Sequence, residues 1–387
     1  MESNSHSFDL ELSGTEQAVV RRIIAGSDRE HPADATLKTE LQQQRGIRPY
    51  EKRLISQIVF AFYRWFGWVD VRQSLDQQVQ QTSELDSQFQ QQPESLSDEA
   101  LTAKAVPAWV WDQSALNPAW TRALQMTPKT WLRARLGKRE SLAGELGDCV
   151  LPPATSPCEA VQYVGAKNLY AHPLFHGGEF ELQDLSSQMV SLICNPQPGQ
   201  VWWDVCAGEG GKTLHLADLM QNQGLIWATD RASWRLRNLK RRAARARIFN
   251  YRFREWQGNQ PLPFKTRFDG VLVDAPCTGL GTWHRNPHAR WVTGLQDVTE
   301  LAAIQKRLLF QAASAVKPGG SLVYSVCTIT RAETTEVAEA FAKEFGDFKP
   351  RPVPHPLKPN AASAAFQWFW PQETGGNGMF VAAWSKV

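Results

Sequence analysis

VWWDVCAGEGGKTLHLADLM, residues 201–220, is the stretch whose reading decides the fold. An apolar run ends at Asp204, glycines follow at 208, 210 and 211, and a helix-length segment comes next. Glycines between a strand and a helix permit a tight turn and let a ligand approach the backbone, at the carboxyl edge of a sheet where open α/β folds bind their ligands. A phosphate-binding P-loop is the rival reading of GGKT. It fails, because that pattern requires glycine where Cys206 stands.

Working outward, LIWATD (225–230), FDGVLVDAP (268–276) and GGSLVYSVCT (319–328) are further candidate strands, each followed by a helix-length segment. Leu301, Ile304, Leu308 and Ala312 mark an amphipathic helix expected to stop at Lys317-Pro318-Gly319-Gly320. Strand and helix alternating in this way predict a doubly wound parallel sheet with helices on both faces, an α/β fold of the Rossmann-like type. Asp230, at the end of the second strand, lies where an acid accepts hydrogen bonds from ribose hydroxyls. The pattern fits a nucleoside cofactor without separating NAD from S-adenosylmethionine.

Upstream the texture is different. In EKRLISQIVFAFYRWFGWV the apolar Leu54, Ile58, Phe62 and Trp65 recur at helical spacing with Arg64 on another face. Residues 76–98 are glutamine-rich and read as a linker or a solvated helix. The expected organisation is an all-α domain over 1–125, a small α/β adaptor over 126–180 and the doubly wound domain over 181–387. The 387 residues are 42% apolar and 21% charged, ordinary for a globular protein of two or three domains. The opening residues MESNSHSFDLELSG carry no signal-peptide pattern, and no run of about 18 uncharged apolar residues occurs, so a cytoplasmic protein without membrane partners is expected. Six widely spaced cysteines with no Cys-x-x-Cys pair indicate free thiols, neither a metal site nor a disulfide scaffold.

Two of those thiols share a setting. Cys277 follows FDGVLVDAP and Cys327 follows LVYSV, so each stands at the carboxyl end of a predicted strand. One cysteine there is usually a small buried hydrophobe. Two on neighbouring strands would open into the same crevice beside the glycine turn. Methylation of a pyrimidine at carbon 5 needs such a thiolate: addition at carbon 6 makes carbon 5 nucleophilic, and a base must later remove the carbon 5 proton. Asp274 is placed to hold the ring nitrogen and exocyclic amine of cytosine.

DVCAGEGGKT, DAPCTGLGTWHRNPHARW, YSVCTITRAE and FELQDLSSQMV together resemble the RsmB-like (Nol/Nop/Sun) RNA cytosine-5 methyltransferases, from about Pro128 to Val387 and including the closing GNGMFVAAW. The first 125 residues are similar to the helical NusB-like RNA-binding domain that precedes the enzyme in some members. By this resemblance Cys327 is the nucleophile and Cys277 assists product release. It likewise implies that Cys206, Ala207, Gly208, Glu209, Gly210, Gly211, Lys212 and Asp230 hold S-adenosylmethionine, with Asp274 at the boundary between cofactor and base. The family usually has Ala-Pro where this chain has Gly208-Glu209, and Thr334 stands where an Asn often follows the last motif's Glu. The acid expected after the third strand is assigned by spacing to Glu255.

From Arg231 to Arg254 there are ten Arg or Lys and no Asp or Glu. Leu236, Leu239, Ala243 and Ala246 form an apolar stripe through this run, so it reads as a helix with outward arginines that can attract phosphates. His284, Arg285 and Arg290, nearer the cysteines, are the candidates for holding the target RNA, and Trp283 and Trp291 for stacking or packing. The expected activity is methylation of an RNA cytosine by a monomer. Ribosomal RNA of the small subunit is the first substrate expected and transfer RNA the second. The rivals are an RNA-binding assembly factor that has lost turnover and an NAD-dependent dehydrogenase.

Overall fold

The computed structural model describes residues 13–44, 46–153, 156–358 and 363–387. Two compact units result. Of the described residues, one comprises those within 13–108, 117–127 and 283–293; the other comprises those within 109–116, 128–282 and 294–387. The first twelve residues of the expected 1–125 domain lie outside the described residues.

The larger unit contains two sheets. Strands β1 (Thr130–Ala134), β2 (Cys149–Val150), β3 (Ala160–Tyr163) and β4 (Phe180–Leu182) form an antiparallel sheet in the order β2-β3-β1-β4. Leu132, Val161 and Phe180 pack in its core with Leu142 and Leu146 of the helix Arg139–Leu146. This sheet lies in the range expected for an adaptor, 126–180, with β4 running two residues past it, and it belongs to the same compact unit as the second sheet.

The second sheet holds β5 (Val201–Asp204), β6 (Leu225–Asp230), β7 (Tyr251–Glu255), β8 (Phe268–Asp274), β9 (Val316–Val326), β10 (Phe348–Pro350), β11 (Phe366–Phe369) and β12 (Met379–Lys386). Its order is β10-β12-β9-β8-β5-β6-β7, with β11 on β12. The five strands from β9 to β7 are parallel, as the alternation of strands and helices predicts. The sheet is nonetheless mixed: β12 runs antiparallel to β9, β10 and β11. No helix-length segment separates β11 from β12, so a parallel return is excluded there.

Both faces of this sheet are covered, and the period-two alternation of side chains explains how. Trp202, Leu272 and Val323 face the helices Leu185–Cys194, Gly211–Leu219 and Ser233–Arg245. Their neighbours Trp203, Val271, Val273, Leu322 and Tyr324 face Leu308 and Ala312 of the helix Leu295–Ala313 and Phe341 of the helix Thr335–Glu344. The expected helix stop at Lys317–Gly320 is displaced. The helix ends at Ala313, and Lys317–Gly320 lies inside β9, where Phe268 pairs with Val316 and Gly270 with Ser321. Pro318 has no N–H to give, and Gly319 takes φ +76°, so the extra residues bulge out of the ladder rather than end the helix.

Among its described residues the smaller unit contains helices and no strand, including Gly14–Ala25, Ala33–Gln43, Pro49–Arg64 and Leu75–Gln91. Ile58, Phe62 and Trp65 are buried as their spacing requires. Of the two readings of the glutamine-rich segment the structure has the helix: a reciprocal Ser74–Gln77 cap starts it, and buried Phe89 packs edge-on against Trp65 at 5.2 Å between ring centroids. Arg64 is 4% exposed, and its guanidinium pairs with Asp86 at 2.7 Å. No helix of the described residues is long and apolar enough to cross a membrane.

Candidate functional site

Asp274, the last residue of β8, is opposite Ser325 on β9, and Ala275 N–H adds one more bond, to the Ser325 carbonyl. Pro276 has no donor with which to continue, so the two chains separate. Cys277 and Cys327 follow at once, and their sulfurs are 3.4 Å apart. Both are half-buried, and neither is in a disulfide.

A carboxylate that the sequence did not single out ties the two loops together. Glu333 is fully buried. It accepts from Thr278 N–H at 2.9 Å, Gln305 Nε2 at 3.0 Å, Thr328 Oγ1 at 3.1 Å and Thr330 Oγ1 at 2.8 Å, and also from Thr278 Oγ1. Thr278 follows Cys277 and Thr328 follows Cys327, so one buried carboxylate sets both cysteine backbones. Gln305 also donates to the Pro276 carbonyl at 2.9 Å.

Asp274 is held from two sides, by Lys212 Nζ on Oδ2 at 2.6 Å and Ser325 Oγ on Oδ1 at 2.7 Å. Burial alone would lower the Lys212 pKa, but the Asp274 charge outweighs it and holds the ammonium above its ordinary range. The thiols are driven apart. Hydrogen bonding from Cys277 holds Cys327 below the ordinary thiol value despite burial, with Lys212 contributing in the same direction. The same hydrogen bond, then burial, raises Cys277 well above it. The arrangement therefore favours the thiolate at 327 over one at 277.

The glycine turn sits at the carboxyl end of β5. Gly210 has φ +86° and caps the helix Gly211–Leu219, and a Cβ there would meet Leu239 Cγ at 2.6 Å. Gly208 has φ +54°, and neither it nor Gly211 has any atom within 4 Å of where a Cβ would stand, so a ligand can reach the backbone. Asp230 ends β6 and accepts from Gly208 N–H at 2.9 Å and Ala232 N–H at 2.8 Å, which leaves each oxygen a further lone pair for a hydroxyl. Asp204 accepts from Thr213 at 2.7 Å through Oδ2, whereas its buried Oδ1 has no partner among the described residues. Burial pushes its pKa up to about 7. Open backbone, spare carboxylate lone pairs and an orphaned acceptor fit a nucleoside that carries an amino group. Burial likewise raises Cys206 well above the ordinary thiol value, so it is an inert wall of the turn.

Glu209, the departure from the family pattern, turns its carboxylate to Asn238 Nδ2 at 2.9 Å, and Arg242 donates to its carbonyl. The side chain braces the helix Ser233–Arg245. Glu255 ends β7 in register with Asp230, exposed, and accepts from Gln257 Nε2 at 3.0 Å.

The proposed RNA-holding residues fare differently. His284, Arg285 and Arg290 all belong to the smaller, helical unit, whereas both thiols belong to the larger one. Arg290 is fully buried and donates to the Ala105 carbonyl at 2.8 Å, Gln125 Oε1 at 2.9 Å and the Arg64 and Leu124 carbonyls at 3.3 Å. Its expectation as an RNA contact is corrected: all four acceptors are internal, and the guanidinium organises the helical unit. His284 is also buried, and Arg285 half-buried. Trp283 is fully buried and Trp291 donates to the Tyr63 carbonyl at 2.6 Å, so both pack. Ser325, Thr278, Thr328, Gln305, Glu333 and Asp204 were missed by sequence reasoning. The Glu of YSVCTITRAE was the one visible signal among them.

A family profile described as "16S rRNA methyltransferase RsmB/F" matches residues 191–385. The chain is 37% identical over 220 residues to a protein of Synechocystis named probable ribosomal RNA small subunit methyltransferase B, covering 56% of this chain and 49% of that one. It is 30% identical over 300 residues to the ribosomal RNA small subunit methyltransferase B of Pasteurella multocida, covering 73% and 63%. The chain thus spans about half to two thirds of the length of these curated relatives. The crystal structure of PH0851 has the same fold, with a TM-score of 0.75 and 22% identity, over 96% of this chain and 98% of that one. With its glycine turn and both cysteine motifs inside the matched residues, the chain belongs to the 16S rRNA methyltransferase RsmB/F family.

Proposed function

We propose that this protein transfers a methyl group from S-adenosylmethionine to carbon 5 of a cytosine in RNA, with ribosomal RNA of the small subunit as substrate. The observation that carries the reading is the pair of sulfurs 3.4 Å apart beside the Lys212–Asp274 ion pair. The curated relatives carry ribosomal RNA methyltransferase names.

S-adenosylmethionine, when bound, supplies the methyl group on a sulfonium. Residues 206–212 and Asp230 would hold it, with Asp204 taking its amino group; Glu255 stands at the next strand end as a weaker candidate. Cys327, as thiolate, adds to carbon 6 of the cytosine, and the electrons of the ring double bond move to carbon 5, which becomes the nucleophile. Asp274 holds the nitrogen edge of the ring while charge develops on it, and Lys212 offsets that charge. Once the Cys327 sulfur is bonded to carbon, Cys277 is freed of its hydrogen bond to that sulfur and passes its proton to solvent. Cys277 then takes the proton from carbon 5, the bond from carbon 6 to sulfur breaks, and the Cys327 thiolate is restored. The net proton released matches exchange of a ring hydrogen for a methyl group. Carbon 6 is reachable only from above the ring, so the target cytosine is unpaired or flipped.

The test is incubation of the protein with methyl-labelled S-adenosylmethionine and RNA, followed by bisulfite sequencing. Label at a single cytosine of small-subunit ribosomal RNA supports the reading. Label in transfer RNA alone would move the substrate, and binding of RNA without label would restore the inactive assembly factor.

A further inference from the structure

The arginine-rich helix and the edge strand beside it form a second surface, away from the thiols. Of the ten cations between Arg231 and Arg254, three are taken by carboxylates: Arg242 and Arg245 by Glu181, and Arg247 by Glu179. The other seven, namely Arg231, Arg235, Arg237, Lys240, Arg241, Arg252 and Arg254, are exposed and have no carboxylate partner among the described residues. Glu209, a further acid against this helix, is bonded to Asn238. The helix therefore splits its basic residues between an inner set that fixes it and an outer set that does not.

Aromatic rings are interleaved with the outer set. β7 pairs with β6 on one side only and is the bare edge of the sheet. Phe249 is 73% exposed, Trp234 50% and Phe253 41%, although burying a ring of this size is strongly favourable. Tyr251 and Phe253 stack with rings 19° from parallel, and Arg252 lies over Trp227 at 5.8 Å from the ring centroid. Lys240, Arg252, Trp227, Phe249, Tyr251 and Phe253 line an open groove of about 660 Å³. Cations that neutralise phosphates, together with rings on which bases stack, are the two elements of a single-stranded nucleic-acid platform.

We propose that this groove binds a single-stranded RNA segment outside the target cytosine, with phosphates on Lys240 and Arg252 and bases on Phe249 and Phe253. The inference rests on RNA being the substrate, and it concerns a surface the chemistry does not use. A protein partner is the competing occupant. Charge decides against it, since seven unpaired cations among rings match a polyanion better than an ordinary protein surface.

The test uses the full chain with Lys240→Glu/Arg252→Glu and Phe249→Ala/Phe253→Ala variants, each checked for an unchanged melting curve. Binding of a fluorescein-labelled single-stranded RNA is followed by anisotropy across a salt series. The charge variant is expected to bind about tenfold more weakly and to lose about 1.4 from the slope of log affinity against log salt, for two phosphate contacts. The ring variant is expected to weaken single-stranded RNA while leaving duplex RNA unchanged. Wild-type affinity and slope in both variants would overturn the proposal and leave the groove to a protein. If wild-type protein binds RNA through this groove yet methylates none, the activity fails and the groove stands. If methylation occurs and the variants bind normally, the reverse holds.

Discussion

Glu333 accepts hydrogen bonds from both the backbone N–H and the hydroxyl of Thr278, the residue that follows Cys277. With Thr328 and Thr330 on the other loop, it fixes the separation of two sulfurs that belong to strands fifty residues apart in sequence. Removing the carboxylate leaves several buried donors without an acceptor. Glu333→Ala is expected to lower stability by about 3 kcal/mol in urea unfolding. Glu333→Gln, of the same shape, is expected to retain the fold and to lose kcat rather than raise KM, because the misplaced thiols still stand beside an intact glycine turn. Equal loss in both parameters would make Glu333 a fold residue alone.

The two thiols should titrate as a pair. Hydrogen bonding from Cys277 is the largest effect lowering Cys327, so it favours the thiolate as pH rises through the Cys327 value. In wild-type protein, alkylation of Cys327 by iodoacetamide, followed by peptide mass spectrometry, should rise with a midpoint below the ordinary thiol value of about 8.5. In Cys277→Ala that donor is gone, burial remains, and the midpoint should move up. An unchanged midpoint would assign the lowering to Lys212.

Gly210 and Gly208 separate shape from access. Gly210→Ala places a Cβ 2.6 Å from Leu239 at φ +86° and should cost about 2 kcal/mol in thermal unfolding. Gly208→Ala meets no protein atom, so a larger loss of S-adenosylmethionine affinity than of stability is expected in calorimetric titration.

Arg290 should behave as a stability residue of the helical unit. Arg290→Met leaves the Ala105 carbonyl and Gln125 Oε1 without their donor, and about 3 kcal/mol of lost stability is expected without any RNA present. Burial pushes its pKa down to about 9. A folded-state value below the unfolded one favours unfolding as pH falls through that range, which the four hydrogen bonds offset at neutral pH.

Much of the sheet was legible because its signals are local. Short apolar runs marked β5, β6, β8 and β9, and the glycines after β5 marked the turn. Neighbouring strands then brought Cys277 and Cys327 together without further information. The missed features depend on partners distant in sequence. Arg290 draws its acceptors from residues 64, 105, 124 and 125, and nothing in HARW distinguishes a buried guanidinium from a solvated one. Glu333 is visible as the Glu of YSVCTITRAE, but its tying role is not, since its donors come from residues 278, 305, 328 and 330. The composition of the glutamine-rich segment left linker and helix open, because the one buried Phe89 that docks the helix is a single apolar residue in a polar run.

The central claim is that residue 327 carries the covalent bond to the base and residue 277 ends it, and trapping tests this most directly. With RNA and S-adenosylmethionine, Cys277→Ala is expected to accumulate a protein–RNA adduct that survives a denaturing gel, while Cys327→Ala forms none and transfers no methyl group. An adduct that persists in Cys327→Ala and vanishes in Cys277→Ala would contradict the account.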